Sequence, residues 1–229
     1  MFKPADLFDL AQTEHAAIFR DCKNAWDALK VLKAYIAANL RPALHNRGEG
    51  KAYIGDQVFI SEGTVVEDGA MIKGPAIIGK NCEIRHGAYI RDNVIIGDNC
   101  VIGNSSEIKH SILFNGCQVP HFNYVGDSIL GHRAHLGAGV KISNVKLVPG
   151  NIFVEMNGKP FDTGLRKFGA LLGDFAEVGC NSVLNPGSIV GRSSIIYPNT
   201  NWRSILPANM IVKNVAAQEI VQRRPRVTE

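Results

Sequence analysis

Five residues in a short part of the chain combine a possible base, two cations, a carboxylate and a phenol. They are Arg91, Glu107, Lys109, His121 and Tyr124. A histidine titrates near neutral pH and can remove a proton from a substrate. Arginine and lysine suit a phosphate or a developing oxyanion. Each residue alone has an ordinary interpretation as a surface charge or a turn residue, but together they predict a site for proton transfer on an anionic substrate.

The elements that must position these residues follow from a six-residue spacing. Large aliphatic residues recur at Ile54, Ile60, Val66, Ile72, Ile78, Ile84, Ile90, Ile96, Ile102 and Ile108. A small residue lies two places before many of them, as at Thr64, Ala70, Ala76, Cys82, Ala88, Cys100 and Ser106. Neither a helix nor a single strand has this period. A hexapeptide β-helix does, because three hexapeptides close a triangular coil and stacked coils bury continuous ladders.

The spacing then brings the polar residues together. The next inward residues are Leu113, Val119, Val125, Leu130, Leu136 and Ile142, so two steps shorten to five residues. One face of the coils therefore holds Ile54, Ile72, Ile90, Ile108, Val125 and Ile142. Tyr89, Glu107 and Tyr124 should stack just before these positions, and Arg91 and Lys109 just after them. Because neighbouring coils lie about 4.8 Å apart, we expect one polar patch that gathers these side chains with His121, which lies near the corner that leads to Tyr124.

The rest of the chain predicts accessory elements around a β-helix at residues 51–215. Residues 1–50 have the apolar spacing of two helices between Pro4 and Leu40. We expect this segment to cover the open end of the core, in preference to docking on a partner or a neighbouring subunit. Residues 146–168 lack the six-residue register, and Asn157-Gly158 within them is a strong hairpin signal. Residues 216–229 are predicted to be a short C-terminal helix and a polar tail.

Composition narrows the class of protein. A net charge of +4 over 229 residues gives no indication of nucleic-acid binding. No apolar run approaches the roughly 20 residues that span a bilayer, and the first residues do not resemble a secretory signal. Three of the five cysteines, Cys82, Cys100 and Cys117, occupy small inward positions, which favours a reducing compartment. These features predict a cytoplasmic protein without a membrane segment.

Several short motifs of the chain resemble those of a known family. The residues are Ser106-Glu107-Ile108-Lys109, Val119 to Asp127, Leu136-Gly137-Ala138-Gly139, Asn144 and Thr163 to Ala170. Over about Ile54 to Val212 the chain resembles the acetyltransferase domain of bifunctional N-acetylglucosamine-1-phosphate uridylyltransferases, in particular the archaeal type. The resemblance implies a mainly β fold, a left-handed parallel β-helix, assembled as a homotrimer. It also implies transfer of acetyl from acetyl-CoA to the amine of glucosamine-1-phosphate, in UDP-N-acetylglucosamine biosynthesis.

The resemblance also implies roles for individual residues. It makes His121 the general base, Arg91, Lys109 and Tyr124 the ligands of the sugar phosphate, Glu107 and Asn144 the residues that orient the sugar, and Ala138, Cys180 and Pro198 the lining of the acetyl-CoA groove. A backbone N–H near Gly137 to Gly139 could hold the oxyanion. No metal is expected for this reaction.

The chain departs from the family at three points. The nucleotide-binding loop of the uridylyltransferase half has no counterpart, so a separate nucleotidyltransferase is a possible partner. The family's Asn before the Ile-Gly-Ala-Gly element is His135 here, and its Asn-Tyr-Asp-Gly segment is replaced by Asn144-Val145-Lys146-Leu147. These changes concern the acceptor and the subunit contact more than acyl transfer.

Two other functions remain open. A non-catalytic sugar-nucleotide-binding or regulatory protein could keep the same scaffold. A zinc-dependent enzyme like the γ-type carbonic anhydrases would need three histidines, and the chain offers His110, His121, His132 and His135. That family pairs two histidines five residues apart, a spacing that no pair here has.

Overall fold

The computed structural model describes residues 2–45, 47–48, 51–156 and 158–214. Three parallel sheets wrap around one core, and each coil contributes one strand to each sheet. Face A consists of Ala43–Leu44, Val58–Ile60, Ala76–Ile78, Val94–Ile96, Ser111–Leu113, Ile129–Leu130, Ala170–Leu172, Ser188–Val190 and Ile205–Leu206. Face B consists of Arg47–Gly48, Val65–Val66, Glu83–Ile84, Val101–Asn104, Gln118–His121, His135–Leu136, Glu177–Val178, Ile195–Ile196 and Ile211–Val212. Face C consists of Tyr53–Ile54, Met71–Ile72, Tyr89–Ile90, Glu107–Lys109, Tyr124–Gly126, Lys141–Ile142, Val183–Leu184 and Asn201–Trp202.

The six-residue pattern is the core of this fold, and the prediction of a left-handed parallel β-helix is confirmed. The aliphatic residues from Ile60 to Ile108 are all buried, as are their small partners. The small inward cysteines donate across the coil: Cys82 Sγ lies 3.1 Å from the Gly97 oxygen, and Cys117 Sγ lies 3.0 Å from the Gly131 oxygen. Because each coil pairs in register with the next, burial of one ladder fixes where every outward side chain lies.

The N-terminal segment differs from the sequence-based expectation in two ways. The first predicted helix is a short helix at Pro4–Leu7 followed by 3₁₀ turns at Leu10–Gln12 and Ala16–Phe19, while the second is a helix at Asp27–Asn39. The expectation that this segment covers the open end of the core was wrong. It packs along the outer side of face A, and the first strand already begins at Ala43, ahead of residue 51.

A second apolar ladder explains this packing. The middle residues of the face A strands point outward and are themselves apolar: Ile77, Ile95, Ile112, Ile129, Leu171 and Ile189. Phe8 and Phe19 from the N-terminal segment meet Phe114 of the β-helix at ring-centroid distances of 5.1 and 5.7 Å. The ring centroids of Trp26 and Phe168 lie 6.1 Å apart. Burial of this outer apolar ladder favours packing of the N-terminal segment along the lateral side.

The insertion is a β-hairpin, as predicted. Its strands are Phe153–Met156 and Lys159–Asp162, paired antiparallel. Ile152 and Val154 join the cluster on the outer side of face A. The predicted C-terminal helix from Ala216 to Gln222 lies outside the described residues. In the part of the chain that is described, no helix has the length and apolar character needed to cross a membrane.

Candidate active site

Face C brings four of the five predicted polar residues, all except His121, into one column. Glu107 pairs with Tyr89 on one side and with Tyr124 on the other, and Lys141 follows Tyr124 on the next coil. Arg91 and Lys109 come two residues after Tyr89 and Glu107, on consecutive coils. This is the stacking that the spacing predicted. The register alone therefore places two aromatic rings, a carboxylate and two cations on one outer surface.

Both cations are already paired with carboxylates in the structure. Arg91 donates to Glu107 Oε1 at 2.8 Å, and each of these two side chains is about one-third exposed. The hydrogen bond to Glu107 raises the pKa of the Arg91 guanidinium above its ordinary value. Lys109 Nζ lies 3.5 Å from Asp127 Oδ2, and this pair is more deeply buried, at 15% and 7% exposure. The sequence predicted two cations that suit a phosphate or an oxyanion, and the structure shows that each of them forms an ion pair, with unequal burial of the two pairs.

Asp127 extends the second pair into a network. Asn144 Nδ2 donates to Asp127 Oδ2. Burial raises the pKa of the Tyr124 phenol, and the negative charges of Glu107 and Asp127 raise it further. The network leaves no room beneath it, because a Cβ on Gly126 would lie 2.7 Å from the Tyr124 hydroxyl and 2.8 Å from Asn144 Nδ2.

Asp127 belongs to a motif of the sequence, but the sequence alone gave it no role. Asp127 forms the shortened corner after Val125, and it adopts a positive φ of 49°. His110 occupies the other shortened corner with φ 44°, and its Nε2 contacts the Leu29 oxygen at 3.0 Å. The register does indicate a role for Asp127. Lys109 pairs with Gly126 on the neighbouring coil, and the residue after Gly126 is the carboxylate Asp127.

His121 lies on a different surface, at the corner between faces B and C. It is exposed and ends the strand Gln118–His121. The Asn123 side chain accepts the His121 N–H at 3.1 Å and donates to the Gly137 oxygen at 2.7 Å, which ties the corner to the next coil. The nearest ring is that of Phe122, at 6.4 Å. Within the described residues, no contact joins the His121 ring to the ion pairs of face C.

The corner that carries His121 continues through the three residues expected to line the cofactor groove. The His121 carbonyl accepts from Gly139 N at 2.9 Å, the Ala138 carbonyl from Asn181 N at 2.8 Å, and the Cys180 carbonyl from Asn199 N at 2.9 Å. We call His121, Ala138, Cys180 and Pro198 the corner column. Cys180, a free thiol, and Pro198 are exposed, and Ala138 is half-buried.

Close approach of the coils shapes this column. A Cβ on Gly137 would lie 2.6 Å from the Cys180 nitrogen, so only glycine fits there. The N–H groups of Gly137 and Gly139 are engaged, the first with the Val178 oxygen at 2.7 Å and the second with the His121 oxygen. Of the three N–H groups in this segment, that of Ala138 is the one without a hydrogen bond to any described residue.

His135, the residue that departs from the family pattern, lies on the outer side of face B. It lines a polar cavity of about 520 Å³ together with Gln118, His132 and Arg133. The histidines proposed for a zinc site do not assemble: in the described ranges no group of three or more His, Cys, Asp or Glu could hold a metal ion. His132 Nδ1, for example, is hydrogen-bonded to the Asn115 oxygen at 2.7 Å.

The altered segment after Asn144 forms an exposed apolar loop. Val145, Leu147 and Val148 are 49%, 103% and 74% exposed. With Lys146 and Arg203 they line a cavity of about 560 Å³ on the part of face C that follows Asn144. Ser143, the residue before Asn144 in the chain, also lines this cavity.

Comparisons with known proteins agree with this architecture. Residues 72–158 match the family described as the GMPPB C-terminal domain. The bifunctional protein GlmU of Methanococcus vannielii is 35% identical over 181 residues, which cover 79% of this chain and 43% of that protein. The bifunctional sugar-1-phosphate nucleotidylyltransferase/acetyltransferase of Sulfurisphaera tokodaii is 36% identical over 92 residues, 40% of this chain and 23% of that protein. The chain therefore spans less than half the length of these curated relatives.

Two solved structures are also similar. LpxA from Acinetobacter baumannii aligns with 75% of this chain and 66% of its own, at 18% identity and a TM-score of 0.38. A perosamine N-acetyltransferase from Caulobacter crescentus aligns with 80% of this chain and 59% of its own, at 16% identity and a TM-score of 0.26.

The coils and their inward ladders define a hexapeptide-repeat left-handed β-helix protein. More particularly, the chain is homologous to the GlmU-type bifunctional acetyltransferases over the matched region, so the resemblance drawn from the sequence is confirmed.

Proposed function

We propose that this protein transfers an acetyl group from acetyl-CoA to the amine of an amino-sugar phosphate, with glucosamine-1-phosphate as the acceptor and His121 as the general base. One observation carries the proposal. The corner column sets the only proposed base in line with the expected cofactor residues Ala138, Cys180 and Pro198, three residues ahead of Tyr124 on face C. A thioester bound along the column would thus end beside the face that holds the acceptor residues.

The reaction requires one proton transfer and one oxyanion. The acceptor amine attacks the thioester carbonyl, and His121 removes a proton from the attacking nitrogen. The new C–N bond forms, the C–S bond breaks, and the CoA thiolate leaves and takes the proton from the His121 imidazolium. The tetrahedral oxyanion needs a backbone donor that is not already used. The N–H groups of Gly137 and Gly139 already donate to carbonyl oxygens of neighbouring coils, so the Ala138 N–H fills this role.

The acceptor would bind on face C. Arg91 uses one guanidinium nitrogen on Glu107 and keeps further donors for a phosphate. Lys109 and Tyr124 contribute an ammonium and a hydroxyl to the same phosphate. Glu107 and Asn144 remain to orient the sugar ring. A phosphate inserted here would share its cations with two carboxylates, so we expect moderate affinity for the acceptor and strong dependence on the charge of the phosphate.

We further propose a homotrimer. The helical segment and the hairpin cover the outer side of face A, whereas faces B and C are open in the single chain. Three-fold packing would therefore use faces B and C, which carry the corner column and the acceptor residues. A separate nucleotidyltransferase would be the partner that uses the acetylated product. The proposed homotrimer does not include this partner.

A thiol-release assay with acetyl-CoA and a panel of amino-sugar phosphates tests the function. His121→Ala should reduce turnover by about 10²–10⁴-fold and leave acetyl-CoA binding nearly unchanged. His86→Ala is a matched control, because His86 is an exposed histidine in the same corner two coils earlier. Near-normal turnover by the His121 variant would make His121 a turn residue and overturn the mechanism. Binding of both substrates without turnover would assign the chain to the non-catalytic alternative, and stoichiometric zinc in the purified protein would favour the metalloenzyme alternative.

A further inference from the structure

Asp127 is a buried carboxylate that the proposed reaction does not use. Its side chain is 7% exposed and contacts Lys109 Nζ and Asn144 Nδ2. Its backbone is held on both sides, since Asp127 N donates to the Lys109 oxygen at 3.0 Å and Gly169 N donates to the Asp127 oxygen at 2.8 Å. A buried charge is costly unless it is compensated. Here the compensation comes from residues expected to bind the acceptor.

The contacts of Asp127 set the direction of the hydrogen bonds around it. An ionised carboxylate only accepts hydrogen bonds, so Asn144 must turn its NH₂ group toward Asp127. The Asn144 carbonyl oxygen therefore points away from the carboxylate and can accept a hydrogen bond from a ligand. The Tyr124 hydroxyl and Asn144 Nδ2 both lie against Gly126, 2.7 and 2.8 Å from the place that a Cβ on this residue would take.

We propose that Asp127 is the positioning residue of the acceptor site, which holds Lys109 and Asn144 in place and commits the Asn144 carbonyl oxygen to accept a hydrogen bond from the ligand. This inference rests on the proposed function. It specifies the chemistry of the ligand: a group that donates a hydrogen bond, such as a sugar hydroxyl, lies at Asn144. A ligand that presents only an acceptor there would leave two acceptor oxygens facing each other.

The alternative is that Asp127 only stabilises the turn at its corner and has no effect on the acceptor site. Asp98 provides a comparison at another corner, because it also accepts a backbone N–H, from Lys80 at 2.7 Å. It contacts no acceptor residue. Asp98→Asn should therefore alter stability at most, whereas Asp127→Asn should alter how the acceptor binds.

The first measurement is a comparison of the two KM values. Asp127→Asn keeps the shape of the side chain and removes its charge. It should raise KM for the amino-sugar phosphate by about 10- to 100-fold, the effect of losing charge-assisted hydrogen bonds. KM for acetyl-CoA should stay within about twofold, and Asp98→Asn should change neither constant. An unchanged acceptor KM would overturn the inference.

The second measurement does not depend on turnover. The absorbance change on ionisation of Tyr124 is obtained as the difference between the parent and Tyr124→Phe across a pH titration. Asp127 raises the pKa of Tyr124 through its negative charge, so Asp127→Asn should move this ionisation to lower pH. An unmoved titration would show that Asp127 acts on its corner alone. If no amino-sugar phosphate is acetylated by the parent, the proposed function fails, and this titration still decides the inference.

A buried lysine without its counter-charge could prevent folding of Asp127→Asn. The double variant Lys109→Met/Asp127→Asn removes both charges and keeps the volume. It should fold and still show the shift of the Tyr124 ionisation relative to Lys109→Met. Equal ionisation in these two variants would refute the assigned role.

Discussion

Three ion pairs of increasing burial predict three different losses of folding stability when the cation of each pair is replaced by alanine. Lys80 and Glu14 lie 3.8 Å apart at 52% and 68% exposure, Arg91 and Glu107 are about one-third exposed, and Lys109 and Asp127 are 15% and 7% exposed. An exposed pair contributes about 0.2–1 kcal/mol, whereas removing one partner of a buried pair costs more because the other charge remains in place. The order of destabilisation should therefore be Lys80→Ala, then Arg91→Ala, then Lys109→Ala.

The magnitude for Lys109→Ala follows from what remains around Asp127. Asn144 still donates to the carboxylate, so the full penalty of a broken buried pair, about 3–5 kcal/mol, does not apply. Loss of one charge-assisted contact at 3.5 Å should cost about 1.5–3 kcal/mol. For a chain of this size that is a fall in Tm of roughly 3–12 °C. Arg91→Ala should cost less than about 1 kcal/mol.

Urea unfolding at one fixed protein concentration measures these differences, because any assembly makes stability depend on concentration. The m-values should be unchanged, so that a lower midpoint reports stability. The double variant Lys109→Met/Asp127→Asn should be more stable than Lys109→Met, since no buried charge is left alone. If Lys109→Ala costs no more than Arg91→Ala, or if the double variant is less stable than Lys109→Met, the buried pair does not carry the energy assigned to it.

Three other predictions concern the site and the assembly. Gly126→Ala should raise KM for the amino-sugar phosphate and spare that for acetyl-CoA, because its Cβ would displace Tyr124 and Asn144; equal effects on both constants, measured by thiol release, would contradict this. Acetyl-CoA should protect Cys180, the exposed cysteine of the corner column, from alkylation followed by mass spectrometry, whereas half-buried Cys22 should react alike with and without it. Light scattering should give three times the chain mass of 24.9 kDa, and a monomer at micromolar concentration would count against packing through faces B and C.

The inward ladder and the column on face C were predictable because both depend only on spacing. Once coils are in register, residues at equal offsets must be neighbours, as Tyr89, Glu107 and Tyr124 are. The position of the N-terminal segment was not predictable in this way. Ile77 and Ile95 are apolar residues between two inward ones, a pattern that is typical of any buried strand and does not tell what covers it. Only the packed structure shows that aromatic residues far away in the chain cover them.

The role of Asp127 was hidden for a different reason, which lies in the corners. A five-residue step leaves the corner one residue shorter. The backbone groups of the shortened corner must then find other hydrogen-bond partners. Ser111 and Ser128, at the small inward position after each shortened corner, provide them. Ser111 Oγ donates to the Lys109 oxygen at 2.8 Å and accepts Ser128 N at 3.1 Å. Ser128 Oγ donates to the Gly126 oxygen at 2.8 Å and accepts Ala170 N at 3.0 Å.

These serines turn an irregularity of the repeat into the geometry of the site. With the corner closed by a hydroxyl, a single residue spans it, and at the second corner that residue is Asp127 with its positive φ. The carboxylate is then buried between Lys109 and Asn144 and not exposed at a two-residue turn. The position of the proposed acceptor site thus depends on the small residue of the hexapeptide as much as on the charged residues themselves. A five-residue step followed by serine, with a carboxylate in the corner, is the sequence pattern that predicts this arrangement.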